Sequence, residues 1–166
     1  MKKNFIFILV GMFLLLPGLN VYASHRPNIE PLHRYFNSST GDHFYTTDFD
    51  ELGEGNNGYV HEGVEGYVYK SHISGTVPLH RYWSSSNGDH FYTTNFDELG
   101  RGNDSYVYEG IEGYVYSSRH PRTIALHRYY NSSTGDHFYT TNFRELGTGR
   151  NGYVHEGVQC YVIRAN

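Results

Sequence analysis

Three residue types recur together in this chain at a spacing that suits molecular recognition. Asp42, His43 and Tyr45 stand within four positions of one another, and the trio returns as Asp89, His90, Tyr92 and as Asp136, His137, Tyr139. A tyrosine offers a flat apolar face with a polar tip, while Asp and His supply acceptors and donors for hydroxyl groups. Those are the needs of a saccharide site, so these nine residues are the expected ligand contacts. The competing role is structural: Asp also closes turns through its own backbone. Metal chemistry fits less well. His33, His43 and His61 recur in register, but Tyr108 stands at the counterpart of His61, and neither H-x-x-x-H nor H-E-x-x-H occurs. No metal or other cofactor is therefore expected, a His33, His80, His127 triad on a symmetry axis being the exception to check. Catalysis is not expected either. Asp42 and His43 are strand neighbours that point to opposite faces, no G-x-S-x-G elbow is present, and three near-identical sites suit binding better than one special reaction centre.

The elements that would hold these trios come in three copies. Leu32-His33-Arg34-Tyr35 returns at Leu79 and Leu126, Gly41-Asp42-His43-Phe44-Tyr45-Thr46-Thr47 at Gly88 and Gly135, and Tyr59-Val60 at Tyr106 and Tyr153, always 47 residues on. The repeats are taken as residues 31–77, 78–124 and 125–166 of a single domain spanning 24–166. Within the first, Leu32–Phe36 and His43–Thr47 are runs of β-formers joined by the polar turn Asn37–Asp42, which predicts a hairpin. Phe49–Leu52 suits one helical turn stopped by Gly53. Tyr59–His61 and Tyr67–Tyr69 read as two further short strands hinged at Glu62-Gly63. Four strands in each of three units give twelve. A unit this small cannot bury its apolar face alone, so the three must share a core. The expected fold is all-β with pseudo-threefold symmetry: a β-trefoil first, a threefold β-prism or three-bladed propeller as the alternatives.

Composition narrows the function. The 166 residues carry 13 Lys+Arg against 17 Asp+Glu, a formal charge of -4. That argues against a nucleic-acid binder, which needs a basic face. With 17 Tyr and 10 Phe the chain is too aromatic for disorder. Lys2 and Lys3 precede the apolar run Phe5–Leu16, which Pro17-Gly18 breaks before the small-residue site Val21-Tyr22-Ala23. Residues 1–23 read as a secretory signal peptide, too short in its apolar part to span a membrane. Secretion to an extracellular location follows. The single cysteine, Cys160, excludes an internal disulfide; it is read as a small buried residue, with an intermolecular disulfide as the alternative.

Strand alternation places Phe44, Phe91 and Phe138 in the core and turns His43, Tyr45 and their counterparts outward, with the Asp at the turn. The first strand gives a conflict: burying Leu32 draws Arg34 inward, where it needs a carboxylate, Asp42 or Glu62. Asn37-Ser38-Ser39, Asn103-Asp104-Ser105 and Asn131-Ser132-Ser133 are sequons, making Asn37, Asn103 and Asn131 candidate glycosylation sites in a eukaryotic source.

Gly41–Thr47 and Tyr108-Glu109-Gly110-Ile111 resemble the repeats of an uncharacterised secreted domain family, which read G-[DE]-H-F-Y-T-T and then Y-E-G-[IV]. The resemblance covers about residues 31–166. Tyr59, Tyr106 and Tyr153 hold the place of a family Trp, and the stretch after Thr-Thr is Gly-rich here rather than helical. Such repeats often accompany bacterial peptidoglycan hydrolases and secreted glycosidases, which implies an accessory role on walls or glycans. The expected function is a secreted, lectin-like protein with up to three weak sites for extracellular glycans or glycoproteins. The alternative is a structural or protein-interaction module of a matrix or coat.

Overall fold

A computed structural model describes residues 28–165; the expected signal peptide lies outside them. Among these residues the chain forms nine strands and no α-helix. The first repeat contributes β1 (Ile29–Asn37), β2 (His43–Thr46) and β3 (Tyr59–Tyr69). The second contributes β4 (Thr76–Ser84), β5 (Asp89–Thr93) and β6 (Val107–Tyr116), and the third β7 (Thr123–Asn131), β8 (Asp136–Thr140) and β9 (Tyr153–Ile163). In each unit the first strand pairs antiparallel with both others. The helical turn is present as a single 3-10 turn, Phe49–Glu51, capped by the Asp48 carboxylate accepting from the Asp50 amide.

The strand count corrects the expectation of twelve. β3 is one continuous strand where the sequence suggested two. The hinge at Glu62-Gly63 is absorbed by irregularities in the β1–β3 register, between Leu32 and His33 and between Arg34 and Tyr35; Gly63 takes a φ of 134° there. The extra residues, Glu62 and Glu65, stand on β3. On β1, Leu32, His33 and Tyr35 are all buried, while Arg34 is left partly exposed.

The three units close on one another through the C-terminal ends of their long strands. Tyr69 of β3 pairs with Tyr114 of β6, Tyr116 of β6 with Tyr161 of β9, and Tyr67 of β3 with Ile163 of β9. The approach is tight: a Cβ added at Gly66 would lie 2.5 Å from a Val162 methyl, and one at Gly113 would lie 2.4 Å from a Val68 methyl. Cys160 is the third-repeat counterpart of these glycines. It is fully buried, and burial pushes its thiol up to about 12, which fits the reading of a small buried residue. The shared core is Leu32, Leu79 and Leu126, Val68, Val115 and Val162, Cys160, and the three tyrosines Tyr45, Tyr92 and Tyr139.

Those tyrosines point inward, against the expectation that they face solvent. β2, β5 and β8 lie at the inner edge of their units, where the neighbouring units cover both faces. All four residues of β2 are buried, so alternation there no longer separates core from solvent. The hydroxyls close a ring about the pseudo-threefold axis. Tyr45 donates to the Tyr139 carbonyl (2.6 Å), Tyr139 to the Tyr92 carbonyl (2.8 Å) and Tyr92 to the Tyr45 carbonyl (2.6 Å). Each hydroxyl also accepts, at 2.8 Å, the amide of the residue whose carbonyl it caps. The rings meet edge-to-face at 5.4–5.5 Å, and burial raises all three hydroxyls well above the ordinary phenol range.

Arginine ties the units together further out. Arg34 pairs with Glu62 at 2.8 Å, Glu65 at 2.7 Å and Glu145 of the third repeat at 3.3 Å, and its guanidinium lies 5.1 Å from the Phe138 ring. Of the two carboxylates expected for it, Glu62 is a partner and Asp42 is not. Arg81 repeats the arrangement with Glu109, Glu112, Glu51 and Phe44, and Arg128 with Glu156, Gln159, Glu98 and Phe91.

Candidate functional site: the clefts between repeats

The Asp-His pairs form between repeats, not within them. The Asp42 carboxylate accepts from the His90 amide (3.0 Å) and from His90 Nδ1 (2.7 Å). Asp89 holds His137 in the same way at 2.7 and 2.6 Å, and Asp136 holds His43 at 2.8 and 2.8 Å, which completes the circuit. A third donor comes from the strand that follows: Tyr59 to Asp42 (2.5 Å), Tyr106 to Asp89 (2.6 Å) and Tyr153 to Asp136. Burial and these hydrogen bonds raise the Tyr59, Tyr106 and Tyr153 hydroxyls.

Asp42, Asp89 and Asp136 are 1–2 % exposed and their oxygens approach within 4.8 Å of one another. Both oxygens of each are already engaged by donors, which is how a buried carboxylate is accommodated. The expectation that the Asp and Tyr of each trio present themselves to a ligand is thereby corrected. Asp42, Asp89 and Asp136 are positioning residues, and Tyr45, Tyr92 and Tyr139 belong to the axial ring. His33, His80 and His127 do not converge on the axis either. Each pairs inside its own repeat, His33 with His61 (3.0 Å), His127 with His155 (3.1 Å) and His80 with Tyr108 (3.1 Å).

The histidine side chains of the trios keep 11–12 % of their surface exposed. An ionised carboxylate only accepts, so Nδ1 of each histidine is the donor and Nε2 is the atom left over. His90 lines a cleft at the junction of the first two repeats, with Phe44, Tyr59, Leu52, Asn57 and Glu51; its volume is about 220 Å³. His43 lines the same cleft at the junction of the third and first repeats, with Phe138, Tyr153, Leu146, Asn151 and Glu145, again about 220 Å³. Phe44 and Tyr59 stand 5.8 Å apart, and the His90 ring meets Phe44 edge-to-face at 4.6 Å. The Glu51 carboxylate is already engaged by Arg81 and Thr46, so the uncommitted polar groups are His Nε2 and the Asn amide. The third junction has Phe91, Tyr106 and His137 at the matching places but Asp104 in place of the Asn. The aromatic walls Phe44 and Tyr59 were not expected to form a site; the signal available was the Tyr that recurs at 59, 106 and 153 behind each loop.

Two of the three sequons are corrected as well. Asn37 and Asn131 are buried, their Nδ2 atoms donating to the Asn57 and Asn151 carbonyls. Asn103 is exposed. Among the described residues no helix is long and apolar enough to cross a membrane.

No curated protein and no solved structure matches the chain. A family match covers residues 16–101 and 97–163, which spans all three repeats, and the chain belongs to that family, described as Domain of unknown function (DUF5648).

Proposed function

We propose that this is a secreted, non-enzymatic saccharide-binding protein whose sites are the clefts between repeats. The observation that carries the reading is the recurrence of one cleft, with the same six residue types, at two junctions. Each has room for one pyranose ring. Phe and Tyr offer flat walls to the sugar's C–H face. The histidine is locked by its Asp, so its Nε2 is oriented toward a hydroxyl before any ligand arrives; that lowers the ordering cost of binding. Individually weak sites gain about 10²–10⁴ in avidity when several engage one surface.

The chain carries its own reporter. Trp83, its single tryptophan, packs against His90 with the rings tilted and their centroids 4.4 Å apart. Titration with neutral oligosaccharides chosen from a glycan array should change Trp83 emission saturably. His90→Ala should abolish that change and leave binding at the His43 cleft. Absence of binding to every glycan on the array would refute the proposal. A second reading, a protein-interaction module, is favoured by exposed aliphatic side chains on the long strands: Val60, Val64, Val107, Ile111, Val154 and Val158, of which Val60, Val107 and Val154 are 63–65 % exposed. Concentration-dependent sedimentation together with a blank array would select it.

A further inference from the structure

A pocket of about 200 Å³ sits where the ends of β3, β6 and β9 meet, lined by Tyr69, Tyr116, His120, Arg122, Ile29 and Ile163 among others. Trp83 is paired with Val107 at the start of β6 and Tyr116 with Thr76 at its end, so this pocket and the first cleft lie at opposite ends of that strand. The pocket breaks the threefold pattern. The linkers before β4 and β7 make the same turn: the Ile73 amide and carbonyl bond the Thr76 hydroxyl, and His120 and Thr123 do likewise. The residue before the threonine takes a left-handed conformation in both. In the first linker it is Gly75, with φ 86°; in the second it is Arg122, with φ 64°. Asn tolerates that region, but a long side chain is strained there.

Among the described residues Arg122 has no acidic partner within 4.0 Å, nor do Arg119 and Arg164, which line an adjoining recess of about 250 Å³ with Thr123 and Tyr161. Every arginine in the clamps between repeats is paired, whereas Arg119, Arg122 and Arg164 are exposed and meet at the two adjoining recesses. Beside them His120 stacks on Tyr116 at 3.9 Å and 17°, and Tyr69 meets Tyr116 edge-on at 6.1 Å. Arg122 lines the same pocket; burial and the Tyr116 hydroxyl raise the Tyr69 hydroxyl, and the Arg122 cation pulls against both.

We infer that this pocket binds a carboxylate carried on a compact ring, with a uronic acid residue of an acidic glycan as the occupant. A guanidinium fork matches a carboxylate in two parallel hydrogen bonds, the Tyr116–His120 stack supplies a flat wall, and the volume suits one six-membered ring. The strain at Arg122 is then retained for the ligand it holds. The site is separate from the clefts, and its test is read on different residues.

The full chain would be titrated with glucuronate, with glucose and inorganic sulfate as comparators, following Tyr116 and His120 resonances by NMR. Glucuronate should bind at least tenfold more tightly than either comparator and shift those resonances without moving Trp83 emission. Arg122→Gly, which installs the residue of the first linker, should raise the melting temperature and weaken glucuronate at least fivefold. Arg119→Ser should weaken it without changing the melting temperature. Equal affinity for glucose, tighter binding of sulfate, unchanged glucuronate affinity in Arg122→Gly, or a lower melting temperature in that variant would each overturn the inference.

Discussion

Tyr45→Phe removes one oxygen from the centre of the molecule, and the geometry sets the cost. That hydroxyl donates to the Tyr139 carbonyl at 2.6 Å and accepts from the Tyr139 amide at 2.8 Å, in a position 1 % exposed. Phenylalanine leaves a buried C=O and a buried N–H without partners. Each such orphan costs about 1–3 kcal/mol. The space vacated by one oxygen is too small for a water to restore both bonds. A loss of about 2–6 kcal/mol follows, a large share of the roughly 5–15 kcal/mol that holds a domain folded. Tyr92→Phe and Tyr139→Phe remove equivalent atoms and should cost the same within about 1 kcal/mol, given the symmetry of the ring. The assay is equilibrium urea unfolding followed by Trp83 emission and far-ultraviolet circular dichroism, with the slope unchanged between variants. A loss below about 1 kcal/mol in all three would mean that the ring contributes no more than an ordinary solvated hydrogen bond, and the account of closure about the axis would fall.

Asp42→Ala strands the His90 amide, His90 Nδ1 and the Tyr59 hydroxyl together; it should cost about 3–5 kcal/mol, the range for breaking a buried pair, and the same change at Asp42, Asp89 and Asp136 together should leave no cooperative unfolding transition in circular dichroism. Stability should fall on mild acidification. Burial, and then the charge of His61 or His155, lowers His33 and His127 below the ordinary value of 6.5, and burial lowers His80. The unfolded chain therefore binds protons first: stability is full above pH 6.5 and declines as pH drops below it. His61→Tyr, which copies Tyr108, should flatten that decline when urea midpoints are compared at about pH 7.5 and 5.5, either side of the histidine range. Expressed in a eukaryotic secretory host, the protein should carry glycan at Asn103 and not at Asn37 or Asn131, so Asn103→Gln should remove the whole glycan mass shift.

What could be read from the sequence depended on how far apart the interacting residues stand. The hairpin, the 3-10 turn stopped at Gly53 and the burial of Phe44 are set within a few residues and were legible. The arginine conflict in β1 was visible, but its solution was not, because Glu145 stands 111 residues from Arg34 and a bulge leaves no mark on the polar-apolar pattern. The Asp and Tyr residues of the trios were assigned the wrong exposure. Period-two alternation names two faces of a strand; it does not say that neighbouring units cover both. Asp42 and His43 adjoin in sequence, yet each serves the other's counterpart, Asp42 holding His90 and Asp136 holding His43.

In a closed threefold array, contacts between repeats favour the same residue in every copy, so identity among copies reports closure before it reports function. The departures carry more information, and they divide by whether a partner changes too. Where Asn37 and Asn131 become Ser84, Gly58 and Gly152 become Ser105. A Cβ at Gly58 would lie 3.0 Å from the Asn37 amide, so the smaller Ser84 makes the room that Ser105 needs. Where His61 becomes Tyr108, a hydroxyl still meets His80. Where Glu65 and Glu112 become Gln159, the amide oxygen still meets Arg128 at 2.9 Å. Arg122 differs from all of these. It replaces Gly75 at a left-handed turn, gains no partner within the described chain, and raises the energy of the fold by roughly 1 kcal/mol for the conformation alone. A departure that costs stability and is answered by no other residue points outward, to something the folded chain does not itself contain.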